Sequence, residues 1–388
     1  MVFITFLLSA FGYEFLMFIM TVHVYSISHK ALSVALFTAL TFIPKVFSPY
    51  YGVFVDKHPR KIVLGINSGI VGVLILFLSL LTNIYWIYGL WFVTSFFIMF
   101  IINARTALMP EIMPADNYVW VNSMVLSTLN LAKILAPLIA GIILQYLDKN
   151  ILILFTSAVY FLCMILSFLI KVTEQIKIEP KSISDNFHFI KEGMDFIRNN
   201  KGIRWLATLG VVWRLFLGMQ FSLFIVLIAR LGGGQMEYGL FMTIVALGSL
   251  VGSFIGPFIA KRVTEKILIH SGLAFHFFSF SLLGVLKQYT IALVIVFLSY
   301  MVFYATVVGI HSMRDKSTEV NLRGRVYGSI TSVFTPPTII SMLLFGYLAD
   351  IIGVGNVFVA TGIIALIGLL FIIVKFNPTV KSNYEKGI

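Results

Sequence analysis

Twelve long apolar runs follow one another along this chain, near residues 2–27, 31–55, 62–82, 84–107, 118–147, 150–171, 203–229, 237–260, 266–286, 289–312, 325–350 and 356–375. Each is long enough to cross a bilayer as a helix, which takes about 20 mostly apolar residues. The expected fold is therefore an all-α membrane protein with twelve transmembrane helices. Residues 2–27 read as the first span and not as a removable leader, because no basic segment precedes them and the run is too long for a leader's apolar core.

Composition supports the same class. Hydrophobic residues make up 59% of the 388 and charged residues 11%, too few charges to cover a soluble domain. A net charge of +12 could suggest nucleic acid, but the cations fall in short clusters between apolar runs and never along one face. Cys163 is the only cysteine, so an internal disulfide and a cysteine metal site are excluded. The seven histidines show no metal spacing, and Gly232, Gly233 and Gly234 lack the Lys-Ser/Thr ending of a phosphate loop. No nucleophile, base and orienting acid recur together. No enzyme activity, cofactor, metal or nucleotide is expected.

Twenty-one of the 28 lysines and arginines lie in one set of alternate loops and the C-terminal tail, and four in the opposite loops. The rich side is read as cytosolic, which places both termini inside. The longest polar interruption divides the chain into a six-helix half over 1–171, a cytosolic linker over 172–202, a second six-helix half over 203–375 and a tail over 376–388. Within the linker, Phe187, Ile190, Met194 and Ile197 recur at helical spacing against Lys191, Glu192, Asp195 and Arg198, which suits a helix on the membrane surface. The halves echo each other. Gly52 to Lys61 after the second run matches Gly256 to Arg262 after the eighth, and Asn122-Ser123 matches Gly328-Ser329, at offsets of about 204–206, as parallel repeats would.

The stretch Gly52-Val-Phe-Val-Asp56-Lys57-His58-Pro59-Arg60-Lys61 resembles the loop motif of the major facilitator superfamily. Twelve spans in two halves joined by a basic linker agree with that resemblance, which covers nearly the whole chain. It implies the two-half major facilitator fold and a gating loop at Gly52, Asp56, Lys57, Arg60 and Lys61. Gly52 would allow close helix approach, and Asp56 would cap or pair with a neighbouring helix end and so latch one conformation. Ala136-Pro137-Leu138-Ile139-Ala140-Gly141 is similar to the antiporter motif of drug/proton antiporters. Met109-Pro110-Glu111 with Pro114, and Lys191-Glu192-Gly193 with Asn200-Lys201-Gly202, resemble the macrolide-efflux branch, which includes siderophore exporters. The fourth run is uncharged until Arg105. Small-residue stripes at Ala132, Ala136, Pro137 and Ala140 and at Gly248, Gly252 and Gly256 are expected to pack where the fifth and eighth helices meet across the halves.

Four charged side chains interrupt apolar runs near their middles: Glu14, Lys45, Lys133 and Arg214. A charge at the bilayer centre costs about 2.5–3.5 kcal/mol on insertion scales, so it usually faces a polar cavity. These four are the expected substrate-binding or coupling residues, with Asn103, Asn122, Asn130, Gln220, His276, Tyr13 and Trp213 as lesser candidates. The expected function is secondary active export of small amphipathic, anionic or zwitterionic molecules such as a metallophore, by alternating access and coupled to protons. Alternatives are a macrolide or multidrug pump and, from another class, a lysophospholipid or glycolipid translocase. The expected partners are a small-molecule substrate, protons and the bilayer of the cell membrane, for a monomer that binds no nucleic acid.

Overall fold

The computed structural model describes residues 2–112, 118–170, 194–318 and 323–375. Among these, thirteen helices of ten residues or more run in chain order: α1 (Val2–Ser28), α2 (Ala31–Val46), α3 (Ser48–Lys57), α4 (Arg60–Leu80), α5 (Ile84–Ile112), α6 (Tyr118–Ile143), α7 (Lys149–Phe168), α8 (Lys201–Arg230), α9 (Gln235–Ala260), α10 (Glu265–Val285), α11 (Tyr289–Lys316), α12 (Arg323–Ile352) and α13 (Val354–Lys375). Eleven are long and apolar enough to cross a membrane, and α2 with α3 makes the twelfth crossing as a bent pair. Most of the linker expected at 172–202, its surface helix up to residue 193, the Met109 to Pro114 stretch beyond Ile112 and the tail lie outside the described residues.

The second span is broken where the sequence places two prolines within it. Its two pieces meet at 56°. Pro44 lies inside α2 and Pro49 at the start of α3. Proline has no N–H to give to the carbonyl four residues back and its ring crowds that carbonyl, so the ladder stops between them.

Alternate helix ends define two faces. One carries the basic residues around Lys57, Lys61, Lys261 and Arg314 and is called the basic face below. On the opposite face the connections are short: two residues at 29–30, three at 81–83 and one at 353. Gly353 makes the one-residue turn at φ +85° and His29 turns at φ 49°, left-handed geometry that glycine adopts without strain and a side chain resists.

The same pairing occurs in each half. α4 packs on α7, where Gly65 and Gly72 receive the Phe168 and Phe161 rings and Ser157 Oγ donates to the Gly72 carbonyl at 2.7 Å. α10 packs on α13 through Gly284 against Gly355 and Gly362 against the Phe277 carbonyl. These are the third with the sixth span and the ninth with the twelfth, as parallel repeats require. Between the halves, α6 packs on α9 and α2 on α12.

The glycine stripe of α9 serves one half only. Gly248, Gly252 and Gly256 face Phe297, Met301 and Ala305 of α11, in the same half, and not α6. The α6–α9 contact is made instead by Gly141 and Gly239, with the Pro137 carbonyl 2.5 Å from where a Gly239 Cβ would be. Ala132, Ala136 and Ala140 are fully buried on the side of α6 away from that contact, and α1 is the other helix with which α6 packs.

A Cβ at Gly252 would collide with the Met301 backbone, whereas one at Gly52 meets nothing within 4 Å. Overpacking costs about 1–3 kcal/mol and outweighs the roughly 1 kcal/mol that alanine gains over glycine in a helix. Gly252→Ala should therefore lower the Tm of the detergent-purified protein, while Gly52→Ala should hold or raise it. A Gly252→Ala protein as stable as its parent would contradict the packing.

Candidate functional site

Glu14 lies on α1, Lys45 in the last turn of α2, Lys133 on α6 and Arg214 on α8. At 1.5 Å per residue all four fall about 18–22 Å from the basic-face ends of their spans, close to mid-membrane. The structure brings them together. The Glu14 carboxylate lies within Coulombic range of Lys133 and Lys45, and Lys45 of Lys133 and Arg214 as well. Among the described residues, Glu14 closes no ion pair with either lysine. Glu14, Lys45 and Arg214 are half-buried and Lys133 is exposed, although none is near a helix end that water reaches. Lys45 and Arg214, on helices of opposite halves, face each other's charges at this depth, which is where a polar space between the halves is expected.

Local structure equips the site. The break after Val46 ends α2 one residue past Lys45, so the ammonium sits at the negative end of the helix dipole. Its Nζ also lies 3.7 Å over the Phe42 ring, a cation–π contact that strengthens away from water. Pro137 has no N–H to donate to the carbonyl of Lys133, four residues earlier, so the α6 ladder is interrupted one turn after Lys133.

Contacts between the halves close the space toward the face opposite the basic one. Phe18 stacks on Tyr238 at 5.0 Å, and Phe42 meets Phe221 at 5.0 Å. Thr243 Oγ1 donates to the Ile134 carbonyl at 2.8 Å, Gly346 packs on Leu32 and Ala35, and Asp350 accepts from the first two N–H groups of α2. The charged group sits directly beneath this seal.

The described bonds of the loop motif lie within its own half. Asp56 pairs with Arg60 at 3.2 Å, and Arg60 Nη1 donates to the Ala107 carbonyl of α5 at 2.7 Å. Lys57 and Lys61 sit beside them at the ends of α3 and α4. Gly52 makes no close helix approach here.

Two polar centres escaped the sequence reading. Arg105 was read as a residue at the end of its span, but α5 runs on to Ile112 and leaves it seven residues inside. It is only 8% exposed, donates to Ser9 Oγ at 3.0 Å and lies 4.0 Å from the Phe6 ring. The second centre joins α8, α10 and α11. Tyr300 donates to Gln220 Oε1 at 2.6 Å, the Gln220 amide meets His276 Nε2 at 3.1 Å, and His276 Nδ1 meets Ser299 Oγ at 2.8 Å. The sequence offered Gln220 and His276 only singly. Trp213, beside Arg214, stacks on Phe303 at 3.9 Å and lies 5.2 Å from the His276 ring. Of the other candidates, Asn103 bonds its own helix at the Met99 carbonyl, Asn130 is exposed one turn from Lys133, and Tyr13 adjoins Glu14. The Asn122 side chain lies outside the described residues.

Two six-helix halves with charges grouped between them beneath a seal have the architecture of a secondary membrane transporter. The chain belongs to the major facilitator superfamily, whose family model matches residues 2–342. Macrolide efflux protein A of Streptococcus pyogenes is 22% identical over 351 residues, covering 86% of this chain and 84% of that protein. The nucleoside transporter NupG superposes with a TM-score of 0.80 at 12% identity, over 97% of this chain and 98% of that one. A bacterial homologue of the human lysosomal transporter Spinster, in an inward-facing and occupied conformation, gives 0.77 at 11% identity over 98% and 96%. At these identities the structural likeness concerns the fold alone.

Tyr300→Phe removes the donor to Gln220 and leaves a buried amide oxygen unsatisfied, at a cost of about 1–3 kcal/mol. The variant should lose several degrees of Tm in detergent, and an unchanged Tm would show that the network does not hold the three helices together.

Proposed function

We propose that this protein is a secondary active exporter of small amphipathic molecules bearing an acidic group, anionic or zwitterionic, working by alternating access. The observation that carries this reading is the grouping at mid-depth of Lys45 and Lys133 about the carboxylate of Glu14, with Arg214 of the other half facing Lys45. Two lysines about one acid favour an anionic group on the substrate, while Trp213 and its aromatic neighbours suit the apolar remainder. A carboxylate metallophore fits this description. The efflux relative supports the outward direction. Glu14 is the proposed proton carrier, exchanging its proton as a neighbouring cation moves toward or away from it.

On the Lys/Arg bias the basic face is cytosolic, so both termini lie inside the cell membrane and the conformation described above is sealed outside and open inside. The halves are taken as 1–171 and 203–375, tethered by 172–202, in a monomer. Asp56 acts as a latch on the cytosolic side: it bonds within its own half in this conformation and engages the other half when that side closes. A macrolide pump is the second reading, favoured by the name of the relative.

Transport by the purified protein in proteoliposomes, with an imposed pH gradient and a carboxylate metallophore and a macrolide as parallel substrates, tests both readings. Lys133→Ala and Arg214→Ala should each weaken binding of the anion about tenfold or more, since a hydrogen bond to a charged group contributes on the order of 1.5–3 kcal/mol. Glu14→Gln should abolish gradient-driven transport and spare downhill exchange. Selective loss of macrolide binding in the cation variants would reject the anion reading in favour of the drug pump, and gradient-driven transport by Glu14→Gln would move the proton site elsewhere.

A further inference from the structure

α2 begins with its own cap missing. Lys30 has the extended backbone of an N-cap residue, φ −116° and ψ 135°, but its side chain makes no cap hydrogen bond. Other helices of the chain cap themselves: Asp148 accepts from Asn150 N–H, Asn200 from Ile203 N–H and Thr264 from Ile267 N–H. At α2 the acceptor comes from the far half of the molecule. Asp350, in the last turn of α12, receives the Ala31 N–H on Oδ1 at 2.7 Å and the Leu32 N–H on Oδ2 at 3.0 Å. Both carboxylate oxygens are used, each on one of the donors that a helix start leaves unsatisfied, and the negative charge sits at the positive end of the α2 dipole.

One turn earlier on α12, Gly346 admits the α2 backbone so closely that a Cβ there would lie 3.2 Å from the Leu32 Cα and 3.3 Å from the Ala31 carbonyl oxygen. At the start of α2 the two helices thus meet both by backbone contact and by a cap supplied in trans. Separating them on this face would strand two N–H donors and one carboxylate together. Water would re-solvate them, but α2 would then start with no protein cap, a defect that exists only when the face is open.

We propose that Asp350 is a gating residue: its carboxylate caps α2 across the interface and sets how often the face opposite the basic one opens. The inference rests on the alternating-access reading above and needs no knowledge of the substrate. It also identifies Lys30 as the position where the gate can be retuned without touching Asp350, because serine there would cap α2 within its own half and make the open face less costly.

The rate at which a hidden thiol becomes reactive measures that opening. Thr38 is 2% exposed on α2, on the same helical stripe as Ala35 and Phe42, which meet Gly346 and Phe221 of the other half. In a Cys163→Ser background, Thr38→Cys is alkylated with a membrane-impermeant maleimide added to the face opposite the basic one. Asp350→Asn should speed the reaction about tenfold, as expected when a doubly bonded carboxylate cap is lost, and Lys30→Ser should speed it about fivefold. Asp56→Asn, which weakens the latch proposed for the basic face, should slow it. If Asp350→Asn and Lys30→Ser both stay within about twofold of the parent while Asp56→Asn changes the rate, the trans cap is not a gate although the halves do alternate. If none of the three changes it, the alternating-access reading fails as well. Should Asp350→Asn not fold, Lys30→Ser decides alone.

Discussion

The cost of charge in hydrocarbon governs this architecture. Glu14, Lys45, Lys133 and Arg214 sit at a depth where contact with lipid would be penalised by about 2.5–3.5 kcal/mol each, and the fold meets that constraint by bringing them within reach of one another's charges. A helix break helps to keep one of them there. The Pro44 and Pro49 interruption ends α2 beside Lys45, so that cation gains the negative end of a helix dipole that a continuous helix would not offer there.

Contacts within the halves differ in kind from contacts between them. Inside each half, glycines admit neighbouring rings and backbones along whole helix lengths, as where α9 lies on α11 at Gly248, Gly252 and Gly256. Buried polar bonds such as Tyr300–Gln220–His276 add to that packing. Between the halves, the packing of α6 on α9 and of α2 on α12 is joined by two aromatic contacts, one hydroxyl on a carbonyl, two glycine approaches and a carboxylate on a helix start. Each can be undone and solvated without opening a half's interior. That division suits two rigid bodies that rock against each other.

Much of this was legible in the sequence because it depends on local composition. Twelve apolar runs gave twelve crossings with ends mostly displaced by a few residues, and the four interrupting charges, which lie at one depth, come within electrostatic reach of one another. What could not be read depends on partners distant in the chain. A glycine stripe shows which side of a helix is flat but not which helix will cover it, so the α9 stripe was assigned to the wrong neighbour. Gln220 and Tyr300 are 80 residues apart, and Asp350 lies 319 residues from the N–H group it caps, spacings that leave no local pattern. Arg105 was misplaced for a simpler reason: the Met109-Pro110 stretch read as a loop belongs to α5, whose helix continues past it.

On the alternating-access proposal the charged site is reached from one face at a time, and in the conformation described from the basic face, proposed above to be the cytosolic one. Asn130 is exposed on α6, one turn from Lys133. In the cysteine-free protein, a single cysteine replacing Asn130 can be challenged with an impermeant thiol reagent from either side of sealed membranes. The account predicts rapid reaction from the cytosolic side and slow reaction from the outside. Faster reaction from the outside, or equal reaction from both, would contradict it.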